Sequence, residues 1–150
     1  MNPNSKSYKL ISQCFALFAD YVTAFYVYRP STHTSIVLNP VIFKNHFLNY
    51  GSNYNYNDGK FTASHDGIYY FAAQFRNFYR NNAVISVNLY HLNQAKHQRF
   101  VATTNARYGG SLQALVYLKS QDKVWIGAFS LEKILLDNYS YFIGFMLAKL

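Results

Sequence analysis

The 150-residue chain is poor in cysteine, in acidic side chains and in long apolar segments. Its one cysteine, Cys14, excludes an intramolecular disulfide and a metal site built from cysteines alone. Of the six acidic residues, Asp58 and Asp66 are explained by Asp-Gly turns, so few carboxylates remain for acid–base catalysis. No apolar segment is long enough to span a membrane. We therefore expect neither an enzyme nor a membrane-spanning protein.

Glutamate occurs only once, at Glu132, whereas aromatic residues make up 19% of the chain. Strong helix formers are therefore scarce, and this composition favours an all-β fold. The net charge of +8 favours polyanionic partners, although it is equally compatible with a role in solubility alone. Because lysine and arginine are scattered rather than clustered along the sequence, a nucleic-acid-binding arm is not expected.

From Ala24 onward the sequence reads as about ten short strands separated by turns, the spacing expected for a sandwich or jelly roll. Residues 24–150 are predicted to form one globular domain. The preceding residues 1–23 have two open interpretations. They have the outline of a secretory signal, and they also place Ile11, Phe15 and Phe18 on one face of an amphipathic helix.

Several predicted strands are apolar on both faces. In GIYYFAAQF, Tyr69 and Phe71 lie on one face, while Tyr70 and Ala72 lie on the other. A two-layer sandwich covers only one face of each sheet, so these strands need a second cover. Another copy of the chain is the economical cover, although a tyrosine-rich composition could also produce this pattern by chance.

Three segments together resemble the complement C1q globular domain. They are FLNYGSNYNYNDGKFTASHDGIYYF (47–71), LKSQDKVWI (118–126) and YSYFIGFML (139–147). The resemblance implies a ten-strand jelly roll, shared with the tumour necrosis factor cytokines, that assembles as a trimer. It also implies which residues face the neighbouring protomers: Tyr70, Ala72, Leu115, Tyr117, Phe142 and Gly144. Gln121 departs from the family's usual glycine, and stalk-borne bundles of trimers are not expected, because no collagen tract precedes the domain.

Three predicted loops combine cations with aromatic or amide side chains, which would suit anionic glycans. Ordinary solvated turns are the alternative interpretation for any single residue. The candidate ligand-binding residues are Arg76, Tyr79, Arg80, Lys96, Arg99, Arg107 and Tyr108.

Metal sites and modifications are weakly indicated. His91 and His97 could meet across a hairpin, but surface histidines are the expected interpretation. Some members of the resembled family bind calcium, and Asp122 is a conceivable ligand, yet one acid offers too few oxygens. We therefore expect no metal and no cofactor. Asn138-Tyr139-Ser140 is an N-glycosylation sequon, meaningful only if the chain is secreted.

These features lead to an expected function. We expect a secreted, homotrimeric, non-catalytic recognition protein that binds glycans or other anionic patterns on microbial surfaces, as in innate immunity. The first alternative is a trimeric ligand resembling tumour necrosis factor, with a cell-surface receptor bound between protomers. The second is a structural or matrix protein.

Overall fold

The computed structural model describes residues 22–30, 35–78 and 84–150, where the chain forms eleven β-strands. The strands are β1 Ala24–Pro30, β2 Ser35–Leu38, β3 Phe43–Tyr50, β4 Tyr54–Asn55, β5 Lys60–Thr62, β6 Gly67–Arg76, β7 Ile85–Leu92, β8 Gln98–Ala106, β9 Gly109–Leu118, β10 Lys123–Ile134 and β11 Tyr141–Lys149. The described residues contain no helix of the length and apolarity that a bilayer crossing requires. The prediction of a signal or helix over 1–23 falls almost wholly outside the described residues.

Two antiparallel sheets form the sandwich, which confirms the predicted all-β jelly roll. The five-stranded sheet has the order β3-β1-β11-β6-β9. The six-stranded sheet has the order β4-β5-β10-β7-β8, with β2 also paired to β10. The sandwich as a whole has eleven strands among the described residues, one more than the expected ten, because β2 and β4 are short strands of four and two residues.

The core between the sheets is unusually aromatic. Phe25 of β1 stacks on Phe61 of β5 with ring centroids 5.2 Å apart, and it meets Phe142 of β11 edge-on at 4.8 Å. Phe61 in turn meets Tyr69 and Phe71 of β6, so rings from both sheets interlock. Offset and edge-to-face pairs of this kind stabilise a core beyond simple area burial.

The two faces of β6 divide as expected. Tyr69 and Phe71 are fully buried in the core, while Tyr70 and Ala72 are half-buried on the opposite face of the five-stranded sheet. On β9, Leu115 and its neighbours at alternate positions likewise point away from the core. We call this surface the outer face. Whether another copy covers it stays a prediction.

The prediction for β11 is wrong. Phe142, expected to face a neighbouring protomer, is 0% exposed and lies in the chain's own core. Gly144 also faces inward, since a Cβ there would lie 2.5 Å from ring atoms of Phe25 and Phe71. Ile143 and Phe145 occupy the outer face instead. Both faces of this strand are apolar, so the alternation in the sequence could not distinguish them, and the missing side chain of Gly144 is what admits the rings.

Candidate functional site

The strand register separates the predicted ligand-binding residues into two groups at opposite ends of the sandwich. Arg76 pairs with Gly109 at one end of β6, and Gly67 pairs with Leu118 at the other. Because β6 has ten residues, these ends are about 30 Å apart. We call them the Arg76 end, which also holds Arg107 and Tyr108, and the Asp122 end, which holds Lys96 and Arg99. Tyr79 and Arg80 lie outside the described residues.

The Arg76 end contains an open hollow of about 770 Å³ lined by Arg76, Asn77, Phe78, Tyr108 and Asp137. The guanidinium Nε of Arg76 donates to Oδ2 of Asp137, whose side chain is only 7% exposed. The same guanidinium lies over the ring of Tyr139, 4.7 Å from its centroid. Arg76 is therefore already neutralised by a carboxylate, which weakens its attraction for an anionic ligand.

Asp137 also organises the backbone around this hollow. Its Oδ1 accepts a hydrogen bond from the amide of Tyr139 at 2.9 Å, and its own amide donates to the carbonyl of Arg76 at 2.8 Å. The hydroxyl of Ser140 accepts from the amide of Arg76 at 3.0 Å. These bonds join the end of β6 to the β10–β11 connection, so the carboxylate has a structural role.

The Asp122 end is built differently, around a chain of hydrogen bonds that runs from an exposed arginine to a buried carboxylate. Nε of Arg99 donates to Nδ1 of His91 at 3.0 Å, and Nε2 of His91 lies 2.8 Å from Oδ2 of Asp122. Since Nδ1 accepts, this pattern requires a neutral imidazole with its proton on Nε2, donating to the carboxylate. The amide of Lys119 donates to the same Oδ2 at 3.1 Å.

These residues surround a hollow of about 410 Å³, which we call the Arg99 hollow. It is lined by His91, Asn93, Gln94, Ala95, His97, Arg99, Tyr117, Lys119 and Asp122. The second carboxylate oxygen, Oδ1 of Asp122, is buried and has no hydrogen-bond partner among the described groups. A buried carboxylate held in this way is costly, so its retention calls for an explanation.

A second hollow of about 320 Å³ shares Asn93 and Gln94 with the Arg99 hollow and is lined by three lysines. With the cations of the Arg99 hollow, they form what we call the basic cluster: Lys60, Lys96, Arg99, Lys119 and Lys123. Among the described residues Arg76 and Asp137 form an ion pair, and neutral His91 hydrogen-bonds to Asp122; neither contact involves any of the five. Lys60 contacts an aromatic ring instead, with Nζ 4.6 Å from the centroid of Trp125.

Sequence reasoning identified Lys96 and Arg99 but missed the other three members of the basic cluster. They are distant in sequence and meet only through strand register. Lys60 pairs with Trp125 on β10, and Lys123 pairs with Leu92 at the end of β7. No local sequence pattern therefore predicts that these lysines lie close together.

The geometry at Asp122 does not suit a metal ion. The described residues contain no group of three or more histidine, cysteine or acidic side chains that could hold one. Both ring nitrogens of His91 are already hydrogen-bonded, so it has no lone pair for a metal. Arg99 and Lys119 line the same hollow as the carboxylate, and their charges would repel calcium.

The outer face of the five-stranded sheet, between the Arg76 end and the Asp122 end, carries many exposed apolar side chains. The ring of Tyr70 contacts that of Phe145 at 5.3 Å, and its hydroxyl donates to Oε1 of Gln113 at 3.0 Å. Leu115 is 64% exposed. The remaining large exposed apolar residues of this face are Phe47, Leu48, Tyr50, Tyr117 and Leu147.

Comparison with known proteins identifies the architecture. Residues 24–147 match the family model of the C1q domain. The chain belongs to the C1q-domain family. It is 32% identical over 113 residues to complement C1q tumor necrosis factor-related protein 2 of Mus musculus, covering 72% of this chain and 37% of that protein. It is also 32% identical over 90 residues to protein 7 of the same series and organism, covering 60% and 30%. The chain thus spans well under half the length of these curated relatives.

Solved structures support the same C1q-domain fold. The globular domain of zebrafish complement 1qA superimposes with a TM-score of 0.68 at 23% identity, covering 85% of this chain and 99% of that one. Murine APRIL superimposes with a TM-score of 0.63 at 16% identity, covering 86% and 99%. Both likenesses concern the fold, which confirms the predicted sandwich.

Proposed function

We propose that this C1q-domain protein is a secreted, non-catalytic recognition module that binds anionic surface glycans as a homotrimer. The observation that carries the proposal is the basic cluster, five cations around two hollows, none of which forms an ion pair with an acidic side chain among the described residues. Cations without a carboxylate partner at a loop-bearing end attract polyanions, and shallow hollows suit chains of sugars better than a buried substrate.

The homotrimer is supported by the outer face. Exposed apolar patches of this kind mark protein–protein interfaces, and the residues involved alternate along β9 and β11 as one surface. Three copies closing around an axis would cover it and would raise the avidity of weak binding sites. Leu115→Arg should therefore give monomers in sedimentation equilibrium. Leu131→Arg, a matched change at a fully exposed leucine of β10, should leave the assembly unchanged. A wild-type monomer at micromolar concentration would contradict the trimer.

A glycan array at low and at physiological salt tests the ligand class. Binding to anionic glycans should weaken as salt rises, because the contacts are exposed charges. The double variant Lys96→Gln, Lys123→Gln should lose most of the signal. The control Lys44→Gln, Lys133→Gln removes the same charge from exposed sites outside the basic cluster and should retain it. If the wild type binds no glycan on the array, the proposal of glycan binding is wrong.

The alternative is a receptor ligand resembling tumour necrosis factor. One observation favours it: Tyr117 lines the Arg99 hollow and also lies on the outer face, so this hollow borders the proposed groove between protomers. The two functions differ in competition. Free acidic sugars or heparin should displace a glycan ligand from loop sites, whereas receptor binding in the grooves should resist them.

A further inference from the structure

We propose that the Arg99 hollow is a subsite for one acidic sugar unit, whose carboxylate or sulfate binds the guanidinium of Arg99. This inference rests on the proposed function, because it names the part of an anionic glycan that the domain recognises. The rest of the basic cluster would attract the polymer in general, and this hollow would select the unit.

Arg99 is oriented by buried groups rather than by solvent. Its Nε is fixed by Nδ1 of His91, which is itself held by the buried carboxylate of Asp122. The two terminal nitrogens of the guanidinium enter no hydrogen bond among the described residues. Together they present a planar fork that matches two oxygens of a carboxylate or sulfate. An arginine already held in its binding orientation loses less entropy when the ligand arrives.

This arrangement also explains why Asp122 is kept in the interior with one oxygen unpartnered. Its Oδ2 accepts from His91 and from the amide of Lys119, so one carboxylate positions both the arginine and the backbone of the next turn. Asp122 and His91 are positioning residues, since neither needs to contact the sugar.

The charge in the hollow favours an anion. Arg99 and Lys119 contribute two positive charges and Asp122 one negative charge, a balance of +1 before the lining histidines are counted. The negative charge lies beneath His91 in the interior, whereas Arg99 is exposed on β8. An entering ligand therefore meets the cations first.

The remaining lining suits a sugar rather than a bare anion. Tyr117 lies where the hollow meets the outer face, so the part of its phenol that lines the hollow offers an apolar surface together with a hydroxyl. The side-chain amides of Asn93 and Gln94 can hydrogen-bond to hydroxyl groups. Rings and amides beside an arginine are the combination that binds a ring-shaped, hydroxylated anion. The volume of about 410 Å³ also falls within the range of small-molecule pockets.

The test is NMR titration of the isotope-labelled full-length protein with three monosaccharides: glucuronate, glucose 6-sulfate and glucose. Saturable shifts at residues 93–99 and 117–122 are expected with one or both acidic sugars and not with glucose, and the two acidic arms separate carboxylate from sulfate. Arg99→Gln and Arg99→Lys should each weaken binding about tenfold or more, because lysine restores the charge but not the fork. Lys133→Gln removes an exposed charge of β10 outside the basic cluster and should change binding less than about twofold.

Positioning is tested at His91. Asparagine places an acceptor near the former Nδ1, so His91→Asn should retain more acidic-sugar binding than His91→Leu, measured on the folded fraction of each. Arg99→Lys binding as well as wild type, or equal shifts from glucose and glucuronate, would overturn the inference. If no monosaccharide binds while anionic glycans still bind on the array, the inference fails and the proposed function stands. If the array is silent too, both fail.

Discussion

Replacing Phe142 by alanine separates the two faces of β11 by experiment. Its ring is fully buried and contacts the rings of Phe25 at 4.8 Å and Phe71 at 5.9 Å. Truncating such a phenylalanine removes apolar contacts and leaves a cavity, at a cost of about 3–5 kcal/mol in the free energy of unfolding. For a domain of this size that loss lowers the melting temperature by about 6–20 °C.

The matched variant is Phe145→Ala, three positions along the same strand and 37% exposed on the outer face. Urea unfolding followed by the fluorescence of Trp125, the only tryptophan, measures both variants at low and high protein concentration. Phe142→Ala should be destabilised at every concentration. Phe145→Ala should lose chiefly association, so its deficit should change with concentration. If Phe142→Ala unfolds like wild type but dissociates, the inward assignment of Phe142 is wrong.

Two further changes test the ends and the core. Asp137→Asn should lower the free energy of unfolding by about 1–2 kcal/mol, discounted because Arg76 is half exposed, and should change the salt needed for elution from heparin little. A large rise in that elution salt would place glycan binding at the Arg76 end, because the variant frees the Arg76 guanidinium. At Tyr54, burial raises the phenol pKa well above its usual value of 10.0. The stability this provides is present below about pH 10 and is lost as pH rises toward the folded-state pKa. Tyr54→Phe should therefore lose less stability between pH 9 and pH 11 than wild type, as measured by urea midpoints. At pH 7 the variant should be about 1–2 kcal/mol less stable than wild type, because it leaves the amide of Phe43 without its acceptor. Equal losses in the two proteins over that pH range would contradict the assignment.

The sequence allowed the sandwich and most of its faces to be predicted, because strand alternation is a local signal. On β6 the difference between Phe71 and Tyr70 could be read directly, since the terminal Gln74 and Arg76 mark one face as polar. On β11 that marker is missing. The orientation of β11 is decided by the rings of Phe25 and Phe71, which pack against the backbone of Gly144. This contact joins different strands, so the sequence of β11 alone does not reveal it.

The candidate site was predictable only in part, for a related reason. A turn rich in cations and amides indicated Lys96 and Arg99, but the charges that complete the basic cluster come from strands far apart in sequence. The His91–Asp122 contact joins residues 31 positions apart. Because the net charge looked scattered along the chain, its concentration at one end became visible only with the register of β5, β7 and β10.

Assembly and recognition are linked through the geometry of one strand. β9 carries Leu115 and Tyr117 on the outer face and ends beside Lys119 and the Arg99 hollow. In a cyclic trimer all three chains point the same way, so the three hollows would lie at one end, around one axis. If the proposed subsite is correct, a monosaccharide would bind each hollow independently, whereas a polymer would bridge them and gain avidity. Dissociation of the trimer should therefore abolish retention on a polyanion while leaving the binding of single sugars intact, and this separation of effects is what a surface-recognition protein built from weak sites requires.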